Sequence, residues 1–132
     1  MMKLTKDEFR RINGESPLEM FHQGIKAKET REKYTRTLRH VLCKTFEDII
    51  EGDFEDRVKQ LVKHAKEDPE WTRDLLLNLS RKLKERTNLP KNDPEYLNPS
   101  SIDNYFKPIK KLFDMNDVVI PWNRIYDHSN SV

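Results

Sequence analysis

Lysine and arginine side chains, which can pair with phosphate groups, are concentrated in one stretch of this sequence. Positions 23–45 hold seven lysines and arginines against two glutamates, whereas positions 46–56 hold six carboxylates and no basic residue. The whole chain has a net charge of only +2. Because the two signs are segregated along the chain, a basic face can exist on a nearly neutral protein.

Apart from these cations, the sequence offers little that could carry out a reaction or hold a metal ion. The four histidines have no second ligand at metal-binding spacing, and the single cysteine, Cys43, has no Cys-x-x-Cys partner. These histidines are His22, His40, His64 and His128. His40 lies one turn before Cys43, but no third group orients that pair. The sequence also has no glycine-rich phosphate loop. We therefore expect no catalytic residue, no metal site and no cofactor.

The composition is that of a small, charge-rich helical protein with a thin core. Of 132 residues, 35% are hydrophobic and 36% are charged, and only three are glycine. This length fits one compact domain with short arms. A lone cysteine is typical of a reducing compartment, and no apolar run approaches the roughly 20 residues that span a bilayer. The N-terminus lacks the apolar stretch of a signal peptide, so we expect a cytoplasmic protein.

Apolar residues recur at helical spacing in four long segments, at about positions 28–44, 54–67, 70–87 and 100–115. Asp53 is a suitable cap for the second helix, and Asn98 or Ser100 for the fourth. Pro108 lies inside the fourth helix and predicts a kink rather than an end. We predict an all-α fold, a small bundle of four main helices with a short N-terminal helical arm.

Each long helix has an apolar stripe that should face the core. The first two stripes are Ala27, Tyr34, Leu38, Val41 and Leu42, then Phe54, Val58, Leu61, Val62 and Ala65. The last two are Trp71, Leu75, Leu76, Leu79 and Leu83, then Ile102, Tyr105, Phe106, Ile109, Leu112 and Phe113. Before the bundle, Thr5 can cap a short helix through Ile12, and Ser16 begins another that ends near Gly24. After it, positions 118–122 should be extended and fold back on the bundle.

Three helices also carry rows of basic side chains. The rows are Lys33, Arg36 and His40, then Lys59, Lys63 and Lys66, then Arg73, Arg81 and Lys84. One such row is usually only a solvated face. Three rows on successive helices, with a polar helix start at Asn98, Ser100 and Ser101, favour DNA binding, because hydroxyls and helix N-termini are good phosphate ligands.

Two patterns give the sequence a family resemblance. They are Thr30-Arg31-x-x-Tyr34-x-x-x-Leu38 and Ser101-Ile102-x-x-Tyr105-Phe106-x-x-Ile109-x-x-Leu112-Phe113, followed by Trp122-Asn123-Arg124-Ile125-Tyr126. In order and spacing they resemble the first and last helices, and the exit, of the N-terminal core-binding (SAM-like) domain of tyrosine recombinases. These are phage-integrase-like proteins, and the exit is similar to that of archaeal integrases. The resemblance implies an arm at 1–15, a core-binding domain at 16–126, and a tail or the start of an interdomain linker at 127–132.

The resemblance further implies a nucleoid-associated module that clamps duplex DNA, with other integrase protomers on the DNA as further partners. Catalysis would belong to a separate C-terminal domain that these residues do not include, so none of the four tyrosines is expected to act as the nucleophile. DNA contacts are expected from the solvent side of the first helix, the start of the last helix and, less directly, the middle helices. The expected DNA-binding residues are Thr30, Arg31, Lys33, Arg36, His40, Arg73, Arg81, Lys84, Ser100, Ser101, Asn104, Lys107 and Lys111. Glu29 departs from this pattern because it places negative charge near the DNA-facing side.

A second interpretation from a different class stays open. The chain could be a small helical interaction protein whose basic rows serve solubility or a protein partner, with no role in binding nucleic acid. A longer reading frame with an Arg…His-x-x-Arg…Tyr pattern downstream would favour the recombinase interpretation.

Overall fold

The computed structural model describes residues 2–8 and 16–126, and all regular structure in these ranges is helical. The α-helices with both ends in these ranges are α1 (Pro17–Gln23), α2 (Lys28–His40), α3 (Phe54–Glu67), α4 (Pro69–Thr87), α5 (Ile102–Met115) and α6 (Trp122–Ile125). The predicted all-α bundle is confirmed, with α2 to α5 as its long helices. The predicted end of the arm helix at Ile12, the tail at 127–132 and His128 lie outside the described residues.

The helix starts follow from the capping residues. Ser16 Oγ accepts a hydrogen bond from the amide of Glu19 at 3.2 Å, and Asp53 Oδ1 accepts one from the amide of Asp56 at 2.9 Å. Asn98 caps the 3₁₀ turn Pro99–Ser101, which leads into α5. Because these caps are local, the sequence is sufficient to predict them.

The prediction that the first long helix runs to position 44 as a single α-helix is wrong. The helix ends at His40, and Val41–Thr45 forms a π-helical turn in which the amide of Phe46 donates to the carbonyl of Val41 at 2.9 Å. The Arg57 side chain stabilises this turn, since its Nη1 donates to the carbonyl of Leu42 at 2.9 Å. The turn keeps Val41, Leu42 and Phe46 buried. Ala27, expected on the core face, is exposed because it precedes the first turn of α2.

The buried face of α4 is rotated from the predicted one. Its buried residues are Thr72, Leu76, Leu79, Ser80 and Leu83. Trp71 and Leu75, predicted to be in the core, are only partly buried. The Trp71 ring lies 4.2 Å from the ring of His64 on α3, so it packs at the edge of the α3–α4 contact and not beneath it.

Helix α5 is the central element and continues through Pro108 without ending. Four of its predicted core residues, Phe106, Ile109, Leu112 and Phe113, are fully buried, while Ile102 and Tyr105 are partly buried against the core. Helices α1 and α2 both pack on α5. A Cβ atom at Gly24 would lie only 2.5 Å from the Met115 side chain, so the end of α1 approaches α5 closely.

The segment after α5 folds back on the bundle, as predicted. Val118, Ile120, Ile125 and Tyr126 are buried, whereas Val119 points outward and is 92% exposed. The prediction of an extended run is wrong at its end, because Trp122 begins the short helix α6. Its ring contacts Phe106 and Phe113 of α5, at centroid distances of 6.2 and 6.0 Å.

Tyr126 closes this segment onto the first turn of α5. Its hydroxyl donates to Oδ1 of Asp103 at 2.6 Å, and its ring stacks on Phe106 at 4.2 Å. Burial, and then the Asp103 carboxylate, raise the pKa of Tyr126 above its usual value. Burial alone would raise the pKa of Asp103, but the Tyr126 hydrogen bond and the charges of Lys107 and Lys110 outweigh it and lower that pKa.

Replacing Tyr126 by phenylalanine is expected to lower the free energy of unfolding by about 1.5 kcal/mol at neutral pH, because it removes a hydrogen bond to a charged group. The pKa of Asp103 is lowered in the folded state, so this contribution is complete above the ordinary carboxyl pKa of about 3.9 and is lost as the pH falls through the folded value. Urea denaturation at several pH values measures the difference. Tyr96→Phe is the control, since the Tyr96 hydroxyl has no hydrogen bond within the described residues. A Tyr126→Phe cost that stays constant down to acid pH would contradict the role of the Asp103 carboxylate.

Candidate nucleic-acid interface

A surface groove runs between α2 and α5, the two helices whose sequences carry the family resemblance. One hollow, of about 230 Å³, is lined by Thr30, Lys33, Tyr34, Thr37, Asn104 and Lys107. The next, of about 510 Å³, is lined by Arg36, Thr37, His40, Leu97, Ser101, Asn104 and Tyr105. Because Thr37 and Asn104 line both hollows, the two are adjacent, and together we call them the α2–α5 groove.

The α2 wall of the groove follows from helical spacing. Lys33, Arg36 and His40 lie within two turns of each other and are all exposed, while Leu38 on the other side of the helix is fully buried. Tyr34 is half-buried between these faces. Packing of Leu38 into the core therefore fixes the side on which the cations stand.

The α5 wall begins at a polar helix start. Asn98 Oδ1 accepts from both the amide and the hydroxyl of Ser100, at 3.0 and 2.9 Å, so both Ser100 donors are used within the chain. Ser101 and Asn104, in contrast, line the groove. Ser101 and Asn104 are thus better placed than Ser100 to bind a ligand in the groove.

The remaining predicted residues of α2 and α5 are dispersed. Lys107 lines the groove and also pairs with Asp103, with Nζ 3.5 Å from Oδ2. Lys111 lies beside Gly24, at the contact between α1 and α5. Arg31 lines a separate hollow of about 460 Å³ that meets the groove at Arg36.

The histidine that lines this separate hollow, His22, is held in its uncharged form. His22 Nε2 lies 3.2 Å from Thr35 Oγ1, and the Thr35 hydroxyl donates to the carbonyl of Arg31 at 2.7 Å. Nε2 of His22 must therefore carry the donating hydrogen. Burial, and then the charge of Arg31, lower the pKa of His22. The uncharged ring does not add to the basic groove at neutral pH.

The α4 residues predicted from the sequence lie outside these hollows. Arg73 pairs with Asp74, with Nη2 3.7 Å from Oδ1, and Arg81 donates to Asn78 at 3.4 Å. Lys84 is exposed on the same helix. The structure therefore does not bring Arg73, Arg81 or Lys84 together with the α2–α5 groove.

Other cations that the sequence analysis did not select extend the groove beyond His40. A third hollow, of about 450 Å³, is lined by His40, Lys44, Thr45, Leu79, Lys82, Leu83, Arg86, Glu95 and Tyr105. We call it the Arg86 cleft, and it shares His40 and Tyr105 with the α2–α5 groove. A sequence signal was present, because Lys82 and Arg86 stand one turn apart beside the stripe residues Leu79 and Leu83.

The groove and the Arg86 cleft together form a strip with a strong charge bias, which we call the basic track. Among the described residues that line it there are six lysines and arginines and one carboxylate, that of Glu95. The six are Lys33, Arg36, Lys44, Lys82, Arg86 and Lys107. Since α2, the π turn, α4 and α5 all contribute, the track exists only in the folded protein.

Other kinds of site have less support in the described part of the chain. Within residues 2–8 and 16–126, no three histidine, cysteine or acidic side chains cluster closely enough to hold a metal ion. The Cys43 thiol is free and partly buried. None of the helices described has both the length and the apolar character needed to cross a membrane.

No protein-family model, curated protein or solved structure matches the chain.

Proposed function

We propose that this chain is a DNA-binding module that holds duplex DNA along the basic track, in the manner of a recombinase core-binding domain. The observation that carries the proposal is the track itself, where six cations and one carboxylate line three adjacent hollows. Elements far apart in the sequence supply these cations, although the chain as a whole has a net charge of only +2. Charge concentrated in this way favours binding of a polyanion.

The polar groups between the cations suit the same ligand. Thr30, Thr37 and Ser101 present hydroxyl groups along the groove, and such groups are common phosphate ligands. Asn104, exposed at the middle of the groove, has the amide geometry that pairs with an adenine edge. Phosphate contacts would thus provide affinity along the track, and Asn104 would contribute base preference.

The packing of α2 on α5 supports the interpretation drawn from the family resemblance. The resemblance implies that the first and last helices of the domain contact DNA together, and these two helices pack on each other and form the walls of the groove. Seven residues of the expected contact set line the groove: Thr30, Lys33, Arg36, His40, Ser101, Asn104 and Lys107.

We further infer that the chain contributes binding and no chemistry. Tyr126 is buried and donates to Asp103, and its raised pKa disfavours the phenolate needed for nucleophilic attack. Tyr34 and Tyr105 are half-buried against the core, where they support the groove walls.

Titration of a labelled duplex of about 20 base pairs, followed by fluorescence anisotropy, tests the proposal directly. Binding that uses about four to six phosphate contacts should weaken roughly a hundredfold to a thousandfold between about 50 and 200 mM salt. Failure to bind the duplex at the lower salt concentration would contradict the proposal. Binding that salt does not weaken would contradict it equally.

The same titration separates the DNA function from an interaction with an acidic protein. Polyglutamate carries a similar charge without the spacing of a phosphodiester backbone. It should compete with the duplex only at a much higher concentration of charged groups. Equal competition would favour the protein-partner interpretation, because the track would then be recognising negative charge alone.

A further inference from the structure

Arg86 is held more firmly than the other cations of the basic track. Its Nε donates to the carbonyl of Glu95 at 2.8 Å, and its Nη1 lies 3.4 Å from the Tyr105 hydroxyl. The carbonyl of Arg86 in turn accepts from the amide of Leu97 at 3.2 Å. The loop after α4 therefore fixes the guanidinium at the wall of the cleft. Nη2 has no hydrogen bond within the described residues, so it is available to a ligand.

Lys44 and Lys82 line the same cleft as this fixed guanidinium. Lys44 belongs to the π turn and Lys82 to α4, and both are exposed. The Thr45 hydroxyl and the His40 ring line the same cleft, while Leu79 and Leu83 form its apolar floor. A fixed arginine, two exposed lysines and a hydroxyl are the donors that an anion with several oxygens requires.

Glu95 is the acidic side chain among the described residues that line the cleft. Its carboxylate lies 3.9 Å from Nε of Arg86, at the long end of the range for an ion pair, and the side chain is 74% exposed. Such an ion pair contributes little to stability, so another anion can readily displace the carboxylate from Arg86. The backbone carbonyl of Glu95 anchors Arg86 independently of the carboxylate.

We propose that the Arg86 cleft binds one phosphodiester group of the DNA backbone, and that the Glu95 carboxylate occupies the cleft as a competing anion until DNA displaces it. This inference rests on the proposed function and extends it beyond the α2–α5 groove. Arg86 positions the phosphate, Lys44 and Lys82 neutralise it, and the Glu95 carboxylate lowers the affinity. With the cleft included, the protein holds a longer stretch of the DNA backbone than α2 and α5 alone could contact.

Two opposite charge changes test the cleft with the labelled duplex. Lys44→Gln/Lys82→Gln should lower the magnitude of the salt slope by about one, because the two lysines neutralise the single phosphate held in the cleft. Glu95→Gln keeps the backbone carbonyl that anchors Arg86, and should tighten duplex binding roughly threefold. Lys63→Gln/Lys66→Gln removes the same charge as the first variant from exposed positions of α3 outside the track, and should change neither quantity.

A titration with inorganic phosphate at constant ionic strength provides a readout that does not need DNA. In heteronuclear NMR spectra, the amide of Thr45 and the Nε–H of Arg86 should shift saturably. The shifts should saturate at a lower phosphate concentration in Glu95→Gln.

The outcomes separate the cleft from the proposed function. If the wild-type protein binds the duplex but Lys44→Gln/Lys82→Gln behaves like the α3 control, the cleft assignment is wrong and the groove remains the interface. If the wild-type protein does not bind the duplex, the proposed function is wrong. The phosphate titration then decides whether the cleft is an anion site, and absence of saturable shifts would overturn it.

Discussion

Replacing Lys33 and Arg36 by alanine is expected to weaken duplex binding roughly fifty-fold at about 0.1 M salt, and to lower the magnitude of the salt slope by about two. Both side chains are exposed on the α2 wall of the groove, one turn apart, so each can meet a phosphate of the same DNA strand. The loss should be similar for all duplex sequences, because phosphate contacts carry no base information.

The fold should survive this change, since Leu38, which secures α2 in the core, is untouched. Lys63→Ala/Lys66→Ala is the matched control, because it removes the same charge from α3 residues outside the basic track. Anisotropy titrations at several salt concentrations, with circular dichroism to monitor folding, supply the measurement. If both double variants lose the same affinity, binding depends on net charge and not on the groove.

Replacing Phe106 by alanine is expected to cost about 3–5 kcal/mol of unfolding free energy, a large part of the stability of a small domain. Phe106 is fully buried, and its ring is covered by Tyr126 at 4.2 Å and by Trp122 at 6.2 Å. The change would leave a cavity between α5 and the C-terminal segment, and would remove the surface on which that segment packs.

Urea denaturation followed by circular dichroism measures this cost. Val119→Ala serves as the control from the same region, since Val119 is 92% exposed and its truncation should change stability by less than about 0.5 kcal/mol. A Phe106→Ala cost close to that of the control would mean that the C-terminal segment does not pack on α5 as described.

Much of the fold could be predicted from the sequence because it depends on local interactions. The caps at Ser16 and Asp53, and the core stripe of α5, need only the residue types and the 3.6-residue period. The π turn could not be predicted in this way. It accepts a long-range hydrogen bond from Arg57, which reaches from the next helix to the carbonyl of Leu42.

The orientation of α4 shows a second limit of sequence reasoning. Leu75, Leu76, Leu77 and Leu79 cover a wide arc of this helix, so the period alone does not decide which side faces inward. Packing against the rest of the bundle buries Leu76 and Leu79 and leaves Leu75 partly exposed.

The choice of cations for the candidate interface was limited in the same way. The sequence predicted Lys33, Arg36 and His40 on the side of α2 opposite its core stripe. They are exposed there and line the groove, because Leu38 fixes the rotation of α2. On α4 the same reasoning selected a row outside the track, whereas Lys82 and Arg86 line one cleft together with residues of the π turn and of the loop before α5. Interfaces built by several elements become visible only after those elements are packed.

Mapping the DNA contact surface by heteronuclear NMR tests the central claim most directly. A titration of isotope-labelled protein with a short duplex reports on every assigned amide at once. We predict that the largest shifts fall on α2, on the π turn, near Arg86 and on the first turns of α5, with the α3 row of Lys59, Lys63 and Lys66 unaffected. Shifts centred on α3, or spread evenly over all exposed lysines, would contradict the account.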